Sequence, residues 1–304
     1  MRFDLYSLSL FVTVCEQQSI ARAAEMHNIA ASAVSKRISD LEKLVKEPLF
    51  YRRQSGLELT PVAQSLLHHA RIVLRDLMQM ERELTDHSTG LRGQVRIQTS
   101  LSMIVQHLPG DLSEFLAENP AVRVDIEEST SQQVVRSVSE NAADIGIFGG
   151  SLSAPGLRIA HYRDDKLVAI MPPGHVLSGR QSVRFAELAE HDLIATLKGS
   201  FLDSLVLRAA ADVGQPLKLR VRVNGFETAA RMVEAGLGIA FVPENCAERY
   251  VKVFRIASVP LDEAWATRHW RLCTRDTDDL PLPVKVLVKY LTRLPSGLPR
   301  AEPR

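Results

Sequence analysis

The sequence contains few cysteines and no long apolar run. Its three cysteines, Cys15, Cys246 and Cys273, are odd in number and far apart, which excludes a disulfide framework and a CxxC-type metal site and indicates a reducing compartment. No apolar stretch is long enough to span a membrane. The first residues carry an acidic side chain and lack a signal-peptide pattern. We therefore expect a cytoplasmic protein without a metal site or membrane contact.

An excess of charge of one sign is also absent, because 37 basic residues nearly balance 36 acidic ones and the formal net charge is +1. Any contact with nucleic acid must therefore come from cations gathered locally. The sequence also lacks a P-loop, a GxSxG elbow and an HExxH helix. We predict that the protein is not an enzyme and has neither catalytic residues nor a cofactor.

Residues 19–40 are typical of two short helices joined by a tight turn. In the second helix, apolar residues at spacings of four and three form one face, namely Val34, Ile38, Leu41 and Val45. The other side is small and polar at first and basic just after, as a helix that enters a DNA major groove requires. An ordinary amphipathic surface helix is the alternative. The candidate DNA-binding residues of this helix are Ser32, Ala33, Ser35, Lys36, Arg37 and Ser39.

A short hairpin with two adjacent arginines is predicted next. Leu49 and Phe50 lead towards Arg52 and Arg53, and a Gln-Ser-Gly turn precedes a second apolar segment. This is the shape of a wing beside a helix-turn-helix. A solvated charge pair is the plainer interpretation, but the position after a groove-type helix favours phosphate contacts by both arginines.

A long helix without an internal breaker is predicted from Thr60 and Pro61 to about His87, because threonine is a good N-cap and proline suits the first helical position. Its apolar residues recur in steps of four and three, which is a heptad seam. The seam consists of Leu66, Ala70, Val73, Leu77, Met80 and Leu84. One helix cannot bury this surface alone, so we infer that it dimerises the chain. Docking onto the chain's own downstream domain is the alternative.

Beyond residue 90 the sequence alternates strands and helices. Separate strands are expected at residues 157–162 and 166–171, and a late strand at residues 268–274 precedes a final helix. Such repeating units predict mainly parallel sheets covered by helices on both faces. The late return of strand and helix fits two α/β subdomains crossed by two strands. In such sheets ligands bind beyond the carboxyl ends of the strands.

Hydroxyl-bearing residues stand at these strand ends, where helix starts offer backbone N–H groups to an anion. Two such loops with one lysine opposite indicate a small ligand that carries a carboxylate. Helix capping alone explains any single serine or threonine here, but the set together favours binding. The candidate effector-binding residues are Thr99, Ser100, Ser102, Ser129, Thr130, Ser131, Phe148, Lys198, Phe201, Phe226 and Glu227.

These residues resemble those of a LysR-type transcriptional regulator over essentially the whole chain. The segments IAASAVSKRISDLE (29–42), PLFYRR (48–53) and LELTPVAQSLLHHA (57–70) carry the resemblance, and GLGIAFVPENCAE (236–248) is a weaker match. The resemblance implies an α+β and α/β multidomain fold with three parts. These are a winged helix-turn-helix (1–59), a long linker and dimerisation helix (60–90), and a periplasmic-binding-protein-like (type 2) effector domain (91–304). Its subdomain 1 is expected at about 91–162 and 267–304, and its subdomain 2 at about 163–266.

The resemblance also implies a function. Such a protein is a sequence-specific transcription regulator that binds double-stranded promoter or operator DNA as a homodimer or homotetramer. A small-molecule effector between the two distal subdomains modulates it. The alternative class is an α/β solute-binding or enzymatic domain whose N-terminal helices serve only assembly.

The sequence departs from the family pattern at two places in the groove-type helix. Ala30 and Ala31 stand where the family often carries serine-glutamine, so base contacts are expected to move to Ser32 and Ser35 and the lysine after them. Lys46 replaces the glycine that usually ends this helix. A lysine in a left-handed cap costs on the order of 1 kcal/mol, or the helix ends differently.

Overall fold

A computed structural model gives the structure of residues 3–53, 56–85 and 91–293, and the side chains of residues 52, 53, 56, 75, 79 and 81–85 also lie outside its description. The chain divides into two compact units, Met1–Thr89 and Gly90–Arg304. None of the helices in the described ranges combines the length and apolar character needed to cross a membrane.

The first unit consists of three short helices, a hairpin and a long helix. Its elements are α1 (Leu5–Gln17), α2 (Ile20–Met26), α3 (Ala31–Val45), β1 (Phe50–Arg53), β2 (Gly56–Leu59) and α4 (Pro61–Thr85). The strands β1 and β2 pair antiparallel. Side-chain oxygens begin three of the helices, because Asp4 accepts from the Ser7 N–H, Ser19 from that of Arg22, and Thr60 from that of Ala63. We call α1–α3 with the hairpin the head.

Lys46 ends α3 in the left-handed conformation, with φ 61°. The first of the two expectations for this residue is therefore confirmed: the helix ends in the left-handed cap, and a lysine accepts the strain that glycine would avoid. The head core forms around Leu10, Phe11 and Val14 of α1 and Val34 and Leu41 of α3.

The apolar side of α4 divides between the head and solvent. Ala70 is fully buried in the head core, and Leu66 and Leu74 pack against the same core. Val73 and Met80, by contrast, are exposed. The predicted seam is therefore not open to a partner along its whole length. The interpretation is corrected for Leu66 and Ala70, which the helix turns towards its own head.

The second unit alternates strands and helices. Its elements are β3 (Gly93–Thr99), α5 (Leu101–Gln106), α6 (Leu108–Glu118), β4 (Val122–Glu128), α7 (Ser131–Ser139), β5 (Ile145–Gly149), β6 (Leu157–Met171), α8 (Phe185–Leu188), β7 (Leu193–Ala195), α9 (Phe201–Asp212), β8 (Leu219–Arg222), α10 (Phe226–Glu234), β9 (Ile239–Pro243), α11 (Glu244–Val253), β10 (Ala257–Pro260), a 3-10 turn (Ala264–Ala266), β11 (Thr267–Arg275) and α12 (Leu282–Arg293).

The sheet of this unit has the strand order β4-β3-β5-β11-β6-β9-β7-β8, and β10 pairs with β6. The outer pairs are parallel: β3 with β4 and β5, and β7 with β8 and β9. The central strands β6 and β11 pair antiparallel with their neighbours. The sheet is thus mixed rather than mainly parallel, because each of the two strands that cross between subdomains runs antiparallel to its neighbours and to the other crossing strand.

The two strands expected at residues 157–162 and 166–171 form one continuous strand, β6. The polar residues Arg163, Asp164 and Asp165 between them look like a turn in the sequence. Strand β11 pairs with β6 through this segment and the register shifts at Trp270/Arg271. The polar residues are thereby kept in the ladder, so the separation into two strands was wrong.

Two apolar clusters lie on either side of the crossing strands. One gathers Val95, Ile97, Phe115, Trp270 and Leu287. The other gathers residues of β6 after Lys166 with helices α9, α10 and α11. Each parallel half of the sheet therefore has its own core, and the crossing strands join them.

All three cysteines are buried and unpaired. Burial raises the pKa of Cys15 and Cys273 to about 12 and that of Cys246 to about 11. The native thiols are therefore expected to stay protonated and unreactive towards dithionitrobenzoate at pH 8, while guanidinium releases three equivalents per chain. A thiol that reacts within seconds in the native protein would contradict this burial.

Candidate nucleic-acid interface and effector cleft

The outer face of α3 carries most of the predicted DNA-binding residues. Val34, Ile38 and Leu41 are buried against the head, and the small buried residues Ala23 and Ala24 line α2 behind them. The opposite face is left to solvent. Of the predicted residues, Ser32, Ala33, Lys36 and Ser39 are exposed and Ser35 and Arg37 are half-buried.

Arg37 differs from its neighbours because its guanidinium is engaged within the head. Its Nη1 lies 3.0 Å from Ser7 Oγ and 3.4 Å from Asp4 Oδ1, and its Cζ lies 4.8 Å from the Tyr6 ring centroid. Arg37 therefore fastens α3 to the start of α1. In the described part of the chain, Lys36 forms no ion pair, which leaves it as the cation of this face that is open to a phosphate.

Replacing Arg37 with alanine is expected to lower the stability of the first unit by about 0.5–1 kcal/mol, since the variant lacks a half-exposed ion pair and a cation–π interaction. The salt dependence of DNA binding should stay as in the wild type, because Arg37 is not assigned a phosphate contact. Arg37→Lys is the matched control that keeps the charge. A salt-dependence slope reduced by about one unit per head would instead show that Arg37, one of the candidate DNA-binding residues, contacts a phosphate.

Arg52 and Arg53 belong to β1, where their backbones pair with those of Leu57 and Gly56 of β2. Their side chains fall outside the described residues. The predicted hairpin is thus present, and the phosphate contacts of the two arginines stay a prediction.

The second unit contains a cleft of about 460 Å³ that is open to solvent. Four helix starts line it: Ser100 before α5, Thr130 before α7, Ser200 before α9 and Gly225 before α10. Six predicted effector residues line it too, namely Ser100, Ser102, Ser129, Thr130, Phe201 and Phe226. The topology thus brings together residues from both halves of the sheet.

Five predicted effector residues do not line the cleft. Thr99 is fully buried and donates to the Ile147 carbonyl, and Ser131 Oγ accepts from the Gly149 N–H. Phe148 is buried in a separate apolar cluster. Lys198 is exposed, and Glu227 is exposed and pairs with Arg231 on α10. Successive strand residues face opposite sides of a sheet, so one position decides whether a side chain reaches the cleft.

Sequence reasoning missed Glu128, Thr196, Leu197, Gly225 and Trp270, which all line the cleft. Trp270 is the most informative of these. It is fully buried, and its Nε1 has no hydrogen-bond partner among the described residues. Ser100 Oγ is also buried and without a partner in the same part of the chain. Buried donors are rarely left unpaired, so both atoms are candidates for contact with a ligand.

A buried ion pair connects the cleft residue Ser102 to the crossing strands. Arg268 of β11 donates from Nε to Asp165 of β6 at 2.8 Å and from Nη1 to Ser102 Oγ at 3.2 Å. Gln106 of α5 donates to the same carboxylate at 2.9 Å. Arg268 therefore fixes the Ser102 side chain, and the position of Ser102 depends on both crossing strands, β6 and β11.

No lysine or arginine lines the cleft among the described residues, and Glu128 is the one acidic residue that does. The positive potential for an anion comes instead from the N-termini of the helices and from hydroxyl groups. Within the described ranges, no cluster of three or more histidine, cysteine, aspartate or glutamate residues could hold a metal ion.

Comparison with protein families gives two matches. The family described as bacterial regulatory helix-turn-helix protein, lysR family, matches residues 5–64. The LysR substrate binding domain matches residues 88–295, which is more than half of the chain.

Individual relatives cover most of the chain. A RuBisCO operon transcriptional regulator from Allochromatium vinosum is 24% identical over 275 residues, which span 90% of this chain and 91% of that protein. The structure of full-length CbnR with its target DNA covers 96% of this chain and 99% of CbnR, with a TM-score of 0.70 and 19% identity. The effector binding domain of QuiR in complex with shikimate covers 67% of this chain and 97% of that domain, with a TM-score of 0.59 and 14% identity.

Proposed function

Since the chain belongs to the LysR family of transcriptional regulators, we propose that α3 reads operator DNA and that the cleft binds a small carboxylate effector. Members of this family are DNA-binding regulators and not enzymes. The single observation that carries the effector assignment is the convergence of four helix starts on one cleft.

The DNA-binding role of α3 rests on its exposed face. Ser32 and Ser35 are short enough to let the helix approach base edges, and Lys36 follows them as a free cation. Ala30 provides no side-chain cap for α3, so N–H groups at the start of the helix are available to a phosphate. CbnR, which is similar in fold, was solved with its target DNA.

Assembly follows from the remaining apolar surface of α4. Val73 and Met80 are exposed one heptad apart on one long helix, and a second copy of the same helix would cover them. We assign to this contact the dimer that places two heads on one operator, and a pair of such dimers forms the tetramer. The protein is assigned to the cytoplasm, where DNA and metabolite meet.

The carboxylate preference of the cleft rests on donors rather than on cations. Ser129 presents a hydroxyl group beside the start of α7, where the Thr130 hydroxyl donates to Gln133, and Ser200 presents one at the start of α9. Phe226 and Trp270 supply the apolar walls for the rest of the ligand. The domain of QuiR, which is similar in fold, was solved with shikimate.

A panel of carboxylates, each paired with its primary amide, tests the proposal by thermal unfolding. A carboxylate at about 100 times its Kd adds about 2.7 kcal/mol to the stability of the folded state. For a unit of this size that corresponds to a Tm increase of about 5–10 °C. The paired amide should give a clearly smaller shift, because it lacks the charge that the helix starts favour.

Ser129→Ala should reduce the shift, since the Ser129 hydroxyl lines the cleft and has no hydrogen-bond partner among the described residues. Ser258→Ala, on the exposed side of β10, is the matched control and should leave the shift unchanged. Equal shifts for acids and amides would reject the carboxylate preference. If the Ser129 and Ser258 variants gave equal ligand-induced increases in Tm, the ligand would bind outside the cleft.

A further inference from the structure

Phe201 stands out because it belongs to one half of the second unit and packs into the other. It is the first residue of α9, whose Leu202, Ala209 and Ala210 belong to the cluster beyond Lys166. The Phe201 ring instead packs against the cluster around Trp270. It therefore spans the cleft from one wall to the other.

The receiving surface is shaped to the ring. A Cβ atom placed on Gly149 would overlap the Phe201 ring, and one on Gly150 would come within 2.9 Å of it. The ring also meets Trp270 edge to face, with centroids 5.6 Å apart and planes at 83°. The absence of side chains at Gly149, which ends β5, and at Gly150 after it thus leaves the space that the flat ring fills.

Two buried donors of the cleft, Trp270 Nε1 and Ser100 Oγ, lack partners among the described residues. The hydrocarbon ring of Phe201 cannot accept a conventional hydrogen bond from either. Leaving such donors unpaired is unfavourable. A ligand that carries an acceptor is therefore stabilised by hydrogen bonds that the phenylalanine ring cannot form.

We propose that the Phe201 ring is an internal occupant of the effector cleft. An aromatic carboxylate displaces it, lays its own ring on Gly149 and Gly150, and accepts hydrogen bonds from Trp270 Nε1 and Ser100 Oγ. This inference rests on the proposed function, because it uses the same cleft. It adds that the chain's own phenylalanine fills part of the site until a ring-bearing acid replaces it.

The sign of the effect of Phe201 on affinity separates displacement from ordinary contact. A residue that only contacts the ligand weakens binding when it is truncated. A residue that competes with the ligand strengthens binding when it is removed or pushed away. Phe201→Ala removes the ring. Gly149→Ala leaves the ring intact but places a methyl group in the space where the ring packs.

The fluorescence emission of Trp270 provides the readout. The chain has two tryptophans, Trp265 and Trp270, so Trp265 is replaced first. In a Trp265→Phe background the emission comes from Trp270 alone. Benzoate is titrated into this background and into the same background carrying Phe201→Ala, Gly149→Ala or Leu207→Ala. Leu207 is exposed on the same helix, α9, outside the cleft lining, and its truncation serves as the control.

The proposal predicts that Phe201→Ala and Gly149→Ala each bind benzoate about 10-fold or more tightly than the background, whereas Leu207→Ala stays within about 2-fold. Adding Ser100→Ala to either tight variant should weaken binding again, since an acceptor loses its donor. Circular dichroism and the unfolding midpoint show that each variant is folded. If Phe201→Ala does not fold, Gly149→Ala carries the test.

Equal or weaker binding by both displacement variants would overturn the proposal. The pattern also separates it from the proposed function. If the background binds benzoate and the variants bind no more tightly, only the displacement is rejected. If neither the background nor any variant changes Trp270 emission, the aromatic acid is rejected too, and the carboxylate panel alone decides the proposed function.

Discussion

Replacing Asp111 with alanine is expected to lower the free energy of unfolding of the Gly90–Arg304 unit by about 3–5 kcal/mol. Asp111 of α6 is buried and accepts from Arg163 Nη2 of β6 at 3.1 Å and from the Tyr162 hydroxyl at 2.7 Å. Its removal takes the Asp111 carboxylate away from the Arg163 guanidinium, which is itself buried. The penalty comes from taking a carboxylate away from a buried guanidinium more than from the missing hydrogen bond with Tyr162.

Guanidinium unfolding followed by tryptophan fluorescence measures this effect, because both tryptophans lie in the second unit. Asp276→Ala is the matched control. It removes the carboxylate of the exposed ion pair with Arg158 at 2.9 Å and should change stability by no more than about 1 kcal/mol. If the Asp111 and Asp276 variants lost equal stability, the buried pair would have no special role in joining α6 to the crossing strands.

Replacing Lys36 with glutamate is expected to weaken operator binding about 100-fold or more. A charge-assisted hydrogen bond contributes about 1.5–3 kcal/mol, and a dimer forgoes it in both heads. The exposed position of Lys36 on α3 means that the change should leave folding intact. Lys36→Ala should lower the slope of log K against log salt by about 0.9 for each phosphate that the variant no longer neutralises.

Lys289→Glu provides the matched control, since this lysine is exposed on α12 in the second unit and the change in net charge is the same. Fluorescence anisotropy with a labelled operator fragment gives both affinity and salt slope. If Lys289→Glu weakened binding as much as Lys36→Glu, net charge rather than a specific contact would govern the interaction. An unchanged slope in Lys36→Ala would remove the residue from the interface.

Local patterns in the sequence predict the head well. The spacing of Val34, Ile38 and Leu41 predicts the buried face of α3, and the pair Thr60 and Pro61 predicts where α4 begins. These signals work because capping and helical periodicity act within a few residues. Local patterns do not predict which apolar residues of α4 are buried and which are exposed, because this depends on which of them the head covers.

Contacts between distant parts of the chain explain what sequence reasoning missed. Arg163 and Asp165 look like turn residues, but Asp111 and Arg268 neutralise them inside the sheet and let β6 continue. Trp270 reaches the cleft from a late strand that no neighbouring motif marks. Thr99 and Phe148 fail to reach it because a shift of one residue turns a side chain to the other face.

The central claim is that paired heads read DNA through α3. The most direct measurement is the binding of the full chain to the DNA upstream of its own gene, with a scrambled fragment of equal length as competitor. We predict affinity at least about 1,000-fold higher for the upstream fragment and saturation at an even number of chains per DNA. Equal affinity for the scrambled fragment, or saturation by a single chain, would contradict the claim.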